Sequence, residues 1–367
     1  MVIGGLALVG LAFGATSTSA WSLGAYAEAY FQWNAGRPAG GVTAYRGFDG
    51  RAEAITLSNA VLEARWDNGE ILGRVALQVG ATPSSYYAAE PTLAAGPGVP
   101  GSDAALWKYL QEARVGWRLP WVEGLSLEAG LFLSPIGPES MAVKDNWNWS
   151  RSNLFFGLPF YHSGARLSYL VAEGWTVVLG GFNGWNNVLD NNVDKSVQVQ
   201  LQRSFGDSAT LSVLYFGGNE RPAGAPEGSP WRHTFDSHLT VQLTPEVSLL
   251  AHLDLGVEPN RFGTSAWAAG ALYARWVPHR LVALAVRGDV FYERVGANGQ
   301  GQAPPIFWPV EWIASGTATL ELRPLSQGSL RFEYRHDHGA APLFVDGDGT
   351  ASRRAQDTFT VGLTAWL

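Results

Sequence analysis

The sequence predicts an all-β protein, a transmembrane antiparallel up-and-down β-barrel of about sixteen strands with short periplasmic turns and long extracellular loops. Three observations predict it. Apolar and polar residues alternate with period two through segment after segment, and mid-segment charges sit opposite the aliphatic stripe. The gaps between segments alternate strictly between short and long. Charged residues make up only 16% of the 367-residue chain, below the roughly 25% usual for soluble domains, and after the first twenty residues no apolar run approaches the length of a spanning helix.

The strands follow in order. Leu23–Trp33 sets Leu23, Ala25, Ala27, Ala29, Phe31 and Trp33 against Tyr26, Glu28, Tyr30 and Gln32. Ile55–Trp66 and Leu72–Val79 flank the turn signal Asp67-Asn68-Gly69. A Pro-punctuated gap leads to Leu110–Leu119, and a short one to Leu125–Ser134, where Leu127, Ala129, Leu131 and Leu133 share a face. After a long central loop (135–163) come Ala165–Val171, Thr176–Asn183, Val197–Phe205 and Thr210–Phe216. His233–Leu243 and Val247–Leu255 join tightly at Thr244-Pro245-Glu246, and a loop near Pro259 leads to Trp267–Val277. Leu281–Tyr292, Trp312–Leu322, Leu330–Arg335 and Thr358–Leu367 complete the set. Each strand with its connection takes roughly 22 residues, which suits strands of about 9–11 residues crossing a bilayer at a tilt. Trp33, Trp66, Trp117, Trp175, Trp276 and Trp366 at strand ends fit interfacial girdles. Arg203 stands on an aliphatic face, but close enough to a turn to reach headgroups.

Residues 1–20 read as a secretory signal: an apolar run, Val2–Ala15, then Thr16-Ser17-Thr18-Ser19-Ala20 with cleavage after Ala20. No Lys or Arg precedes the run, which leaves room for a start upstream of Met1. The barrel then occupies 21–367. A formal charge of −7 argues against nucleic acid as a partner, and the absence of cysteine removes disulfides and thiolate metal sites.

The chain resembles the β-barrel porins of the OmpL-like, porin-2 group of Gram-negative outer membranes. The resemblance rests on Tyr26-Ala27-Glu28-Ala29-Tyr30, Arg46-Gly47-Phe48-Asp49, Leu57-Ser58-Asn59-Ala60, Pro135-Ile136-Gly137 and Lys144-Asp145-Asn146-Trp147-Asn148-Trp149-Ser150-Arg151. Pro159-Phe160-Tyr161-His162-Ser163-Gly164 and Asn183-Gly184-Trp185-Asn186-Asn187 extend it to about Gly218, beyond which the likeness is architectural. It implies an outer-membrane channel with no catalytic residues and no cofactor. The chain ends in Leu367 where such barrels usually carry an aromatic residue.

A barrel of this strand number leaves an aqueous lumen, so the inner wall is the candidate functional surface. Pore-lining acids are Glu28, Glu63, Glu112, Glu128, Asp254, Asp289, Glu321 and Glu333. The bases are Arg65, Arg74, Arg114, Arg118, Arg166, Arg275, Arg287, Arg323, Arg331 and Arg335. Opposed rows would set a field across the path of a solute, whereas mutual ion pairs would only stiffen the wall, the plainer reading for any single residue. With both signs represented, charge selectivity stays open. The central loop either folds inward as a constriction presenting Glu139, Lys144, Asp145 and Arg151, or caps the mouth through Trp147, Trp149, Phe155 and Phe156.

Weaker signals have plainer explanations. Asp346-Gly347-Asp348-Gly349 and Asp190-Asn191-Asn192-Val193-Asp194 have calcium-like spacing without the bidentate Glu, and read as turns. His336 and His338 share a face but are too few for a metal site. A barrel hydrolase would need a Ser or Asp nucleophile beside a His on one outer face, and in His162-Ser163 and Ser237-His238 neighbours face oppositely. A surface adhesin or scaffold with a sealed lumen is the other alternative. The expected partners are outer-membrane lipid and lipopolysaccharide, small hydrophilic solutes or ions, the assembly machinery reading the C-terminal strand, and further copies of the chain in a homotrimer.

Overall fold

The computed structural model describes residues 20–294, 297–298, 301–302 and 306–367; the signal-peptide expectation falls outside these, apart from Ala20. Sixteen strands close into one antiparallel barrel in sequence order. They are β1 (Ala20–Asn34), β2 (Ile55–Asp67), β3 (Ile71–Val79), β4 (Leu110–Arg118), β5 (Leu125–Leu133), β6 (Tyr161–Ala172), β7 (Trp175–Phe182) and β8 (Ser196–Ser204). The second half is β9 (Ala209–Asn219), β10 (Trp231–Gln242), β11 (Val247–Asn260), β12 (Gly263–His279), β13 (Val282–Arg294), β14 (Trp312–Leu325), β15 (Gly328–Gly339) and β16 (Ala355–Trp366). Pairing of β1 with β16, from Tyr26 opposite Trp366 to Asn34 opposite Thr358, shuts the cylinder and leaves no free edge.

The period-two pattern sorts side chains as the two solvents require. On β13, Ala283, Ala285, Arg287, Asp289, Phe291 and Glu293 are buried inward while Leu284, Val286 and Val290 stand exposed outside. On β11, Leu249, Leu253 and Leu255 face out and His252, Asp254 and Glu258 face in. An outward arginine at mid-strand would meet hydrocarbon. Leu253→Arg is therefore expected to cost about 2–4 kcal/mol near the bilayer midplane, read as a lowered urea midpoint for the heat-modifiable form.

Outer tryptophans gather at the short-turn rim, where Trp21 lies against Trp66 and Trp117 against Trp121, with ring centroids 5.5 and 5.0 Å apart. Trp33 sits against Phe359 at the opposite end. Arg203 lies over the rings of Trp175 and Phe205, at 4.9 and 5.0 Å, and donates to the Glu173 carbonyl. Its charge is thus carried to the rim along aromatic faces.

Four expectations are corrected. Trp366 is not in the girdle: it pairs with Tyr26 and packs inward on Tyr26, Val61, Ala76 and Ala142, because it shares parity with inward Thr364 and Gly362. The gaps do not alternate strictly, since β11 and β12 are joined only by Arg261 and Phe262, and Pro259 lies within the ladder opposite Thr264. β6 begins at Tyr161, which shortens the central loop to residues 134–160. Leu131, expected on the lipid face, is 5% exposed and packs with Tyr86, Tyr87 and Tyr161, because the β3–β4 connection lays the one-turn helix Thr82–Tyr86 over the strand ends there.

Candidate functional site: the lumen and its inserted loop

The loop 134–160 lies inside the barrel and crosses to strands far along the chain. Its polypeptide has few regular hydrogen bonds of its own, so inward side chains of the wall must satisfy its backbone. Glu28 on β1 accepts the Val143 N–H at 2.5 Å. Glu333 on β15 accepts the Trp149 and Ser150 N–H groups at 2.5 and 2.9 Å. Asp289 on β13 takes the Asn153 N–H and side-chain amide. Arg287 donates to the carbonyls of Ser150 and Arg151, Arg331 to those of Val143 and Asn148, and Arg335 to that of Arg151. Carboxylates hold the donors and guanidinium groups hold the acceptors.

Aromatic packing completes the seat. Trp149 rests against Tyr30, with ring centroids 5.9 Å apart, and Trp147 against Tyr273 at 6.3 Å. Gly362 on β16 makes room for the Trp149 ring: a Cβ there would lie 2.2 Å from it. Gly362→Val is expected to push Trp149 off the wall and destabilise the loop by about 1–3 kcal/mol, seen as protease cleavage within 141–153 in folded protein.

The four loop residues expected to face solutes have different roles. Arg151 is buried and turned back onto the loop, donating to the carbonyls of Met141, Trp149 and Ser140, with its guanidinium 5.3 Å from the Phe48 ring. Glu139 accepts the Ser152 N–H and hydroxyl from within the loop and reaches Arg287 at 3.2 Å. Lys144 and Asp145 pair at 2.9 Å and remain part-exposed in the lumen.

The wall charges are mostly paired. Below the loop, toward the short turns, a chain of contacts runs Arg65–Glu63–Arg74–Glu112–Arg114–Glu128–Arg166 across β2 to β6. Arg118 holds Asp67 at the rim. On the other side Glu321 receives Arg275, Arg323 and Arg331. Arg287 pairs with Asp289 and Arg335 with Asp337. Asp254 does not line open space: it is buried and accepts the Trp267 indole N–H at 2.5 Å.

Several lumen residues were not among the expected set. Arg46 and Asp49 of the β1–β2 loop pair at 2.8 Å and are buried, with Arg46 also on Asp337 and Thr358. The signal was available in Arg46-Gly47-Phe48-Asp49, opposite charges three apart flanking an aromatic residue in a connection. Asp236 accepts from His252 and His238 and also takes the Gly137 N–H. These polar residues share the inward parity of their strands, but their partner is the loop. His162 does not meet Ser163: it contacts Ser134 Oγ at 3.2 Å, walled in by Phe182 and Phe216. Asp346 and Asp348 spend their carboxylates on their own turn.

Outside the loop lies a vestibule of about 800 Å³ lined in part by Phe156, Phe160, Trp185, Asn191 and Phe307. Arg232 stands over the Trp185 and Phe307 rings while donating to Glu258. At its side, Glu90 takes the Tyr161 hydroxyl and Val188 N–H, and burial holds its carboxyl above the ordinary carboxylate range.

A family model described as "Putative beta-barrel porin-2, OmpL-like" matches residues 21–367. No curated protein matches the sequence. Among solved structures, the trimer form of OmpT from Vibrio cholerae superposes with a TM-score of 0.59 at 10% identity, covering 96% of this chain and 100% of that one. An anion-selective porin from Comamonas acidovorans superposes with a TM-score of 0.60 at 11% identity, covering 95% and 100%. At such identities the likeness is one of fold.

Proposed function

The chain belongs to the β-barrel porin-2, OmpL-like family of the outer membrane, and from that premise we propose that it passes small hydrophilic solutes or ions by passive diffusion, with the 134–160 loop as constriction. The observation that carries this reading is a closed barrel whose inner wall is charged below an inserted loop. Such a wall suits water and solutes, and a lipid-facing stripe alone would not require it. Porin family membership speaks for a channel without catalysis. The similar OmpT structure is a trimer form, and the same stoichiometry is proposed here. Refolding the chain into a planar bilayer should give stepwise, near-ohmic currents.

The burial of Glu28, Gln32 and Trp149 at the level of the loop favours a second reading, a sealed scaffold. Liposomes loaded with protein separate the two. Swelling in small sugars supports diffusion, and the absence of both swelling and current would leave the scaffold.

A further inference from the structure

Glu321 on β14 is one carboxylate among three guanidinium groups. Its Oε1 accepts Arg331 Nε and Nη2, at 3.1 and 2.8 Å, and its Oε2 lies 3.1 Å from Arg275 Nη2 and 2.9 Å from Arg323 Nη2. The cluster is short of negative charge by two. Arg331 commits both Nη1 donors to the loop carbonyls of Val143 and Asn148. Arg275 and Arg323 do not: each gives one terminal nitrogen to Glu321, which leaves terminal N–H groups over, and Arg323 Nε is buried with no acceptor among the described residues. A guanidinium offers five N–H groups in a planar fork matched to carboxylate and phosphate oxygens.

Local sequence builds this arrangement. Arg275 stands on β12 and must cross β13 to reach Glu321, and the inward residues it passes there are Ala283 and Ala285. The side chains of Arg323 and Arg275 keep 27% and 14% of their surface open, against 3% for Glu321. The same inequality holds on the wall opposite, since strands eight apart face each other in a sixteen-strand cylinder. There the side chains of Arg74, Arg114 and Arg166 are 18%, 16% and 18% exposed, and those of Glu112 and Glu128 only 5% and 9%. Counting residues makes the wall look mixed, but Glu112, Glu128 and Glu321 are more hidden than Arg74, Arg114, Arg166, Arg275 and Arg323, while Glu63, at 17%, is level with Arg74.

We propose that the lumen between loop and short turns is an anion pathway, with Arg275 and Arg323 forming a binding site for small carboxylate- or phosphate-bearing solutes. The proposal rests on the diffusion-channel reading and names its substrate class. A solute there would accept from the remaining terminal N–H groups of both guanidinium groups, displacing water rather than Glu321, and the two-charge deficit would favour it without a protein conformational change.

The test uses the full chain in a planar bilayer under a potassium chloride gradient. The expected reversal potential has the sign of anion preference, with chloride favoured over potassium by roughly tenfold. Inorganic phosphate added from the short-turn side should reduce the chloride current. The double variant Arg275→Gln/Arg323→Gln should bring the preference to about unity and remove the phosphate effect, while Arg323→Lys keeps both. A cation-sign or unselective potential in a conducting wild-type channel overturns the proposal and needs no variant. So does a double variant that shows the folded, heat-modifiable band yet keeps its preference. A silent bilayer overturns the channel reading itself, and this proposal with it.

Discussion

Deleting Met141–Asn153 is expected to raise single-channel conductance by roughly twofold or more, since a barrel of this strand number is wide enough for an aqueous channel once its lumen is cleared. The segment contains Trp149 and the backbone groups held by Glu28, Glu333, Arg287, Arg331 and Arg335. None of the sixteen-strand ladder passes through it, so barrel closure does not depend on it. The acids and guanidinium groups left behind would face water instead of a buried backbone, which avoids most of the penalty of an unpaired polar group. Stepwise currents of wild-type and deleted protein in the same salt provide the measurement. Unchanged conductance would retire the constriction.

Arg287→Met should be the most damaging single substitution in the seat, costing about 3–5 kcal/mol because it strands buried partners. The Arg287 side chain is fully buried and holds Asp289 at 3.0 Å and Glu139 at 3.2 Å. It also donates to the Ser150 carbonyl at 2.6 Å and to the Arg151 carbonyl and Thr317 hydroxyl, both at 3.1 Å. Methionine fills part of the volume and answers none of those groups. The cost should appear as a lower urea midpoint together with noisier open-channel current as the loop loosens. Arg65→Gln provides the contrast: that side chain is 54% exposed, and its pair with Glu63 should be worth no more than about 1 kcal/mol.

Strand parity was legible because two solvents enforce it. Leu253 and Asp254 are neighbours with opposite surroundings, and period two separates them without further information. Where a third environment exists, the same logic loses force. Leu131 looks lipid-facing by parity yet is covered by Tyr86 and Tyr87 from a distant connection. Trp366 looks like a girdle residue by position, but one residue of parity turns it inward onto Tyr26. Pro259 suggested a loop, since proline cannot donate to a ladder, yet the β11–β12 hairpin tolerates it near its tip.

The charged wall was legible as a list and illegible as a surface. Sequence gives the inward parity of Arg275, Glu321 and Arg323, but not that three guanidinium groups share one carboxylate or that the carboxylate is the hidden partner. Likewise Arg151 and Lys144 belong to one motif, and only the fold of the loop sends the first into the interior and leaves the second beside open space. A loop rich in tryptophan can pack outside or inside with equal hydrophobic gain. What decides the matter is the backbone hydrogen bonding supplied by Glu28 and Glu333, more than a hundred residues away in sequence.

The central loop grips strands from both ends of the polypeptide, with Glu28 on the first, Arg331 and Glu333 on the fifteenth and Gly362 on the last. Those grips have very high contact order, so they cannot form while the C-terminal strands are unmade or unpaired. Seating of Trp149 is accordingly a late event in biogenesis. Among the sixteen tryptophans of the chain, the Trp149 share of the fluorescence, taken as the difference from a Trp149→Phe chain, should change only after the cylinder has shut, which distinguishes completed barrels from inserted but open sheets.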